Sequence, residues 1–202
     1  MPLTLALLLL GCRPTPLPPP AVPAAEPVVP LVSELPADAR ARYLEAAVAE
    51  RRGDIDRAEA NLRWVTRLDA DSPWPWLALG RFLERQRRWD EAIGVYQRAI
   101  TRDEALADAH LALGTCLVRR GRAVDARPHL ARASELGLPQ GHHLYARALI
   151  MTGLRDEAVG VLRRWRDEPL DSGDALDRAR LSYELGDDDG AMDDLLQADW
   201  LV

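Results

Sequence analysis

The side chains able to do chemistry are few, and their spacing does not suit catalysis. The chain of 202 residues contains two cysteines and four histidines. Cys12 and Cys116 stand far apart with no C-x-x-C pair. There is no G-x-S-x-G nucleophile turn, no H-E-x-x-H metal helix and no phosphate-binding glycine loop. His142 and His143 are adjacent, so on a helix they point about 100° apart and cannot chelate one ion together. The acidic run Gly186-Asp187-Asp188-Asp189-Gly190 lacks the D-x-[DN]-x-[DN]-G spacing of a calcium loop and has no closing glutamate. It reads as the start of a helix, where the dipole favours acid. Cys116 falls in an apolar helical stretch, where a buried, inert thiol is expected. No catalytic residue, metal ligand or cofactor site follows from these residues, and a non-enzymatic protein is the expectation. What remains is arginine. All 26 basic residues are arginine, in a chain whose net charge is −6. That balance argues against a general nucleic-acid or anionic-membrane surface.

The elements that would position those arginines are helices. Between residues 73 and 106, Trp76, Leu79, Gly80 and Leu83 fall on one helical face, and Ala92, Tyr96 and Ala99 on another. Arg87-Arg88-Trp89-Asp90 makes a polar turn between them. Gly80 and Ala92 are small enough to let two backbones approach, so the pair predicts an αα-hairpin. The pattern recurs. Ala92 has counterparts at Ala58, Ala126, Ala158 and Ala191, at spacings of 34, 34, 32 and 33 residues. The turn glycine recurs as Gly53, Gly121, Gly153 and Gly186, with Arg87 breaking the series. The small residue of the first helix recurs as Ala46, Gly114, Ala146 and Ala179. Trp76, Leu79, Gly80, Ala92, Tyr96 and Ala99 resemble the W-x2-L-G-x2-Y and A-x3-F pattern of the tetratricopeptide repeat, with Leu83 where tyrosine is usual. Arg42 and His110 stand at the tryptophan's position in the first and third units. The resemblance implies an all-α solenoid of about five units, 39–72, 73–106, 107–138, 139–171 and 172–202, because one hairpin cannot bury its own apolar face. Few β-branched runs and an aromatic content of 5% fit the absence of sheet.

The N-terminal 38 residues differ in kind. Leu3 to Leu10 is an almost unbroken apolar run, far short of the ~20 residues a spanning helix needs. It has the length of a signal-peptide core, although no basic residue precedes it. Its end, Leu9-Leu10-Gly11-Cys12, resembles a bacterial lipobox. That resemblance implies cleavage after residue 11 and a diacylglycerol on the Cys12 thiol. Residues 12–38 then carry nine prolines, from Pro14 to Pro36. Proline denies them a helix and predicts an extended tether of up to ~3.1 Å per residue. Several acyl chains at ~0.8 kcal/mol per buried CH₂ would anchor such a chain to a bilayer.

In tetratricopeptide arrays the first helices of the hairpins line a concave groove that binds peptides or helices. The resemblance therefore places Arg81, Arg147 and Arg180, and one turn on Arg51, Arg85 and Arg119, along one groove with Tyr43, Trp74, His143 and Tyr183. Such a row suits acidic or C-terminal carboxylate segments with apolar anchors. The competing reading pairs these arginines with acids such as Glu50 and Glu84. The lysine and asparagine carboxylate clamp of chaperone-binding members is missing, so that partner is not implied. At the other end, Met192, Leu195, Leu196 and Trp200 offer more apolar surface than one hairpin hides. Either a partner or a second copy covers it, or Trp200 folds back on Leu181. The expected protein is a lipid-anchored, periplasm-facing adaptor at the outer rather than the inner membrane. Similar lipoproteins serve secretins and type IV pili, outer-membrane-protein assembly or cell-wall enzymes, and pilus assembly is the expectation. A cytosolic scaffold or chaperone adaptor without lipid is the alternative, and a cell-wall enzyme or its regulator a more distant one.

Overall fold

The computed structural model describes residues 36–165 and 172–197. Cys12, the proline-rich segment and Trp200 lie outside them. The described residues form ten α-helices and no strand, arranged as five hairpins. They are α1 (Ala37–Arg51) with α2 (Ile55–Leu68), α3 (Trp74–Arg85) with α4 (Trp89–Arg102), and α5 (Ala107–Arg119) with α6 (Ala123–Glu135). The last two are α7 (Pro139–Met151) with α8 (Arg155–Trp165), and α9 (Ser172–Leu185) with α10 (Asp188–Gln197). We call the first helix of each hairpin A and the second B. The array is a solenoid of tetratricopeptide type.

Each helix carries its own end signals. Asp90 and Glu91 open α4, Asp156 and Glu157 open α8, and Asp188 and Asp189 open α10. Arginine occupies the last turn of every helix from α1 to α6 and of α8. Acid at the N-terminus and base at the C-terminus both oppose the macrodipole. The turn inside each hairpin is then closed in one way. Gly53, Gly121, Gly153 and Gly186 take left-handed φ values of 73–82°. The next amide in each turn donates back to a carbonyl five residues earlier, as in Asp54 N to Ala49 O at 2.9 Å and Asp187 N to Ser182 O at 2.9 Å. This is the Schellman arrangement, which satisfies carbonyls the helix end would otherwise leave bare. Arg87 adopts the same geometry at φ 58°, and Arg88 N reaches Leu83 O at 2.9 Å. The turn therefore survives at the position where the glycine series breaks, at a backbone cost that glycine avoids.

Hairpin closure depends on the small residues. A methyl group built on Gly80 would lie 2.3 Å from the Tyr96 ring, and one on Gly114 would lie 2.5 Å from Leu130. Ala46, Ala146 and Ala179 fill the same slot in the other hairpins and are buried, as are Ala58, Ala92, Ala126, Ala158 and Ala191 opposite. Tyr96 is fully buried and its hydroxyl donates to Glu84 Oε2 at 2.9 Å. The apolar interior divides at α7. Trp76, Leu79, Phe82, Leu83, Tyr96, Leu113 and Leu130 centre one cluster, and Leu149, Leu162, Trp165 and Leu181 the other, with Tyr145 touching both.

The tryptophan position shows how the repeat tolerates substitution. Trp76 Nε1 donates to Ala70 O at 3.2 Å, and Arg98 and Arg102 lie over its ring at 5.1 and 4.8 Å. One unit later His110 Nε2 makes the same bond to Glu104 O at 3.1 Å. That ring nitrogen must carry the proton, so His110 Nδ1 accepts from His129 Nδ1 at 3.2 Å. Burial holds both imidazoles below the usual histidine pKa, which keeps the pair neutral. One unit earlier the partners are exchanged: Arg42 takes the tryptophan's place and lies 5.9 Å from the ring of Trp64, which takes the place of Arg98.

Two substitutions test this account. Gly80→Ala should lower stability by about 1–3 kcal/mol, because overpacking against Tyr96 outweighs the ~1 kcal/mol that alanine gains in a helix. Arg87→Gly should raise it by about 0.5–1 kcal/mol, since relief of left-handed strain exceeds the added chain entropy. Chemical denaturation of both variants beside the parent chain checks the two signs.

Candidate functional site

Helices α3, α5, α7 and α9 touch in succession, so the A helices form the inner row of the solenoid. The arginines expected along that row meet different fates. Arg81 on α3 donates to Asp108 on α5 at 2.7 Å, and Arg85 on α3 forms a two-pronged pair with Glu50 on α1 at 2.7 and 2.9 Å. Arg119 lies over the Trp89 ring at 5.1 Å. Arg51 is exposed at the end of α1. Tyr43 and Trp74 are half-buried against the larger core cluster, and Tyr183 is exposed on α9. Three of the six arginines are thus engaged within the chain.

Arg147 and Arg180 differ. Among the described residues neither makes a hydrogen bond or ion pair. Both line a pocket of about 420 Å³ between α7 and α9, together with His143, Ile150, Met151, Asp177, Leu181 and Glu184. His143, Arg147, Ile150 and Met151 sit on one face of α7 at i, i+4, i+7 and i+8. Asp177, Arg180, Leu181 and Glu184 do the same on α9, at i, i+3, i+4 and i+7. His143 is held by stacking on Trp165, with ring centroids 6.1 Å apart. The pocket therefore offers two cations and two carboxylates around an apolar wall of Ile150, Met151 and Leu181. Such a site can take a segment that carries both an acidic group and an apolar side chain. It offers no nucleophile paired with a base. Groups of histidine, cysteine and carboxylate able to hold a metal ion are absent among the described residues. Cys116 is fully buried, and burial together with Glu84 pushes its thiol up to about 12, so it is unreactive near neutral pH.

The tetratricopeptide-repeat family pattern matches residues 43–107 and, in the next register, 77–138. The chain contains tetratricopeptide repeats. Among solved structures of this fold, YrrB, a tetratricopeptide protein with an unusual peptide-binding site, superposes with a TM-score of 0.61. It is 21% identical, over 80% of this chain and 84% of YrrB. PilW, a type IV pilus biogenesis factor, gives 0.65 at 22% identity, over 81% and 78% of the two chains. PilF of Pseudomonas aeruginosa gives 0.62 at 20%, over 80% and 76%. At these identities the likeness is one of fold. No curated protein matches the chain by sequence. Tetratricopeptide repeats are protein-interaction modules, and protein binding is the function the repeats support.

In this tetratricopeptide array the pocket's α9 wall is fixed by a buried ion pair that the sequence does not announce. Arg178 Nε lies 2.8 Å from Asp194 Oδ1 of α10, and both side chains are fully buried. Arg178 Nη1 donates to Trp165 O at 2.8 Å, and its guanidinium lies 5.6 Å from the Trp165 ring. Ser182 Oγ donates to Asp194 Oδ2 at 3.2 Å. One network therefore joins α8, α9 and α10, and places Arg180 two residues along from Arg178. Within the pocket, Asp177 and Ile150 were also not singled out from sequence. Asp177 three residues before Arg180, and Ile150 three residues after Arg147, were the available signal.

Asp194→Ala removes the carboxylate that faces the buried Arg178 guanidinium, a loss of about 3–5 kcal/mol. Because solenoid units depend on their nearest neighbours, the last hairpin should open while the first three persist. Limited proteolysis should then cut within residues 172–197, and simultaneous loss of all five hairpins would refute this reading.

Proposed function

We propose that this protein is a non-enzymatic adaptor that binds an acidic segment of a partner protein in the α7–α9 pocket. We further propose that it works at the bacterial envelope, held to the outer membrane by lipid on Cys12, within an assembly system of type IV pilus kind. The observation that carries the binding reading is the pair Arg147 and Arg180, two guanidinium groups on adjacent A helices with no acid bound to either among the described residues. Arg81 and Arg85 spend their charge on holding α1, α3 and α5 together. Arg147 and Arg180 hold nothing among the described residues, and a carboxylate from a partner is the group that matches them. The envelope reading is supported by the Leu-Leu-Gly-Cys12 run, by the proline-rich segment after it, and by PilW and PilF among the proteins of like fold.

Arg147→Glu with Arg180→Glu should abolish partner capture in a cross-linking pull-down from the native host. The melting temperature should stay within about 2 °C, because exposed substitutions rarely move stability by more than about 0.5 kcal/mol. Arg81→Glu with Arg85→Glu should instead lower stability while leaving the pocket's specificity intact. Unchanged capture by the Arg147/Arg180 variant would sink the binding reading. Separately, the intact mass of the native protein should correspond to a chain starting at Cys12 plus acyl groups. An unmodified chain starting at Met1 would remove the membrane anchor and leave a scaffold inside the cell.

A further inference from the structure

The two ends of the described stack expose apolar side chains, three of which (Leu44, Val48 and Met192) stand at positions wholly or partly covered inside it. At one end, Leu44 and Val48 of α1 are 51% and 37% exposed. Counted from the small residues Ala46 and Gly80, they stand where α3 has Ala78 and Phe82. Phe82 is completely buried, in the cluster that also holds Ala46, Ala49, Ala58 and Leu62 of the first hairpin. Counted to Gly114, Val48 also stands where α5 has the buried Cys116. At the other end, Met192 and Leu196 of α10 are 57% and 55% exposed. Counted from Ala58 and Ala191, they stand where α2 has Glu59 and Arg63. Those two α2 residues cross to the next hairpin, where Glu59 meets Arg88 at 2.5 Å and Arg63 meets Glu91 at 3.6 Å. Met192 likewise matches the buried Ile93 of α4. The outward faces of α1 and α10 are therefore the two halves of the junction that joins successive hairpins.

The halves also fit in shape and charge. The α1 end has a hollow of about 270 Å³ with an apolar centre of Ala41, Leu44, Val48 and Ala49. Its rim carries Arg52 and Arg57, which have no ion-pair partner among the described residues, together with Glu45 and Asp54. On α10, Met192 and Leu196 share a face with Asp188, Asp189 and Asp193, all exposed and likewise without ion pairs among the described residues. No basic residue occurs on α10.

We propose that copies of this chain stack head to tail, with α10 of one copy seated in the α1–α2 hollow of the next. Met192 and Leu196 cover Leu44 and Val48, and the α10 aspartates face Arg52 and Arg57. The contact uses a different patch on each copy, so it does not close on itself and builds a linear row. It leaves the α7–α9 pocket of every copy open, and is independent of what that pocket binds.

The test is sedimentation equilibrium on the full chain carrying Cys12→Ser, so that acylation plays no part. The weight-average mass should rise with concentration and pass that of a dimer. Val48→Asp blocks one face, and Met192→Asp with Leu196→Asp blocks the other. Each variant alone should associate at least about tenfold more weakly, as a charge entering an apolar contact demands. An equal mixture of the two should form a discrete dimer, because one intact face of each kind remains. Should Val48→Asp disturb α1 by circular dichroism, Leu44→Arg on the same exposed face replaces it. A parent chain that stays monomeric throughout overturns the proposal. So does a variant that associates as the parent does, or a mixture that gives no dimer.

Discussion

Everything in this protein rests on how closely two helices can approach. Gly80 lies under the Tyr96 ring with no space for a methyl group, and Gly114 lies likewise under Leu130. With larger residues in those slots the A and B helices would stand a side chain further apart. The hairpin would then lose its aromatic lid and the register that the next hairpin reads. The turn works to the same end. A left-handed residue and a back-bonded amide reverse the chain within three residues, which keeps the two helices in contact from their first turn. Close approach within hairpins leaves their outer faces apolar, and stacking is the consequence.

Repetition here preserves interactions more strictly than residues. A ring N–H caps the entering loop through Trp76 in the second hairpin and through His110 in the third. A guanidinium lies over an indole in both the first and second hairpins, yet arginine and tryptophan have exchanged helices between them. What each position must supply is a flat apolar body with a donor at its edge, or a cation able to lie over it. Several residue types meet that demand, and this explains how a repeat can drift far in sequence while its packing is unchanged.

The electrostatics follow from an acidic chain whose cations are all guanidinium. Forked donors suit carboxylates on neighbouring helices, and Arg85 with Glu50, Arg88 with Glu59 and Arg120 with Asp90 each tie one hairpin to the next. Single exposed pairs of this kind contribute only about 0–1 kcal/mol. Their greater effect is to consume charge, so that the inner surface is less basic than a list of its arginines suggests. Arg147 and Arg180 stand out because both line one pocket and neither is bonded to an acid among the described residues, although Asp177 and Glu184 of α9 share that pocket. The buried pair of Arg178 and Asp194 obeys a different rule, since its removal from water is compensated only while both members, the Trp165 carbonyl and Ser182 remain in place.

Local physics wrote the period, the helix faces and the turns into the sequence. A 3.6-residue repeat of apolar side chains needs no partner to be recognised, and neither does a glycine whose backbone must turn left-handed. The small-residue ladders told equally plainly which helices would meet. Which arginines stay available for a ligand was not legible, because their partners lie 27 residues away for Arg81 and 35 for Arg85. Burial of Arg178 was equally hidden: a charge on the edge of an amphipathic pattern looks solvated until Trp165 and α10 close over it. The sequence by itself determined that five hairpins form and stack. Only the tertiary structure decided which charges the stack keeps for itself and which it leaves to others, because that choice depends on distances between residues on different hairpins.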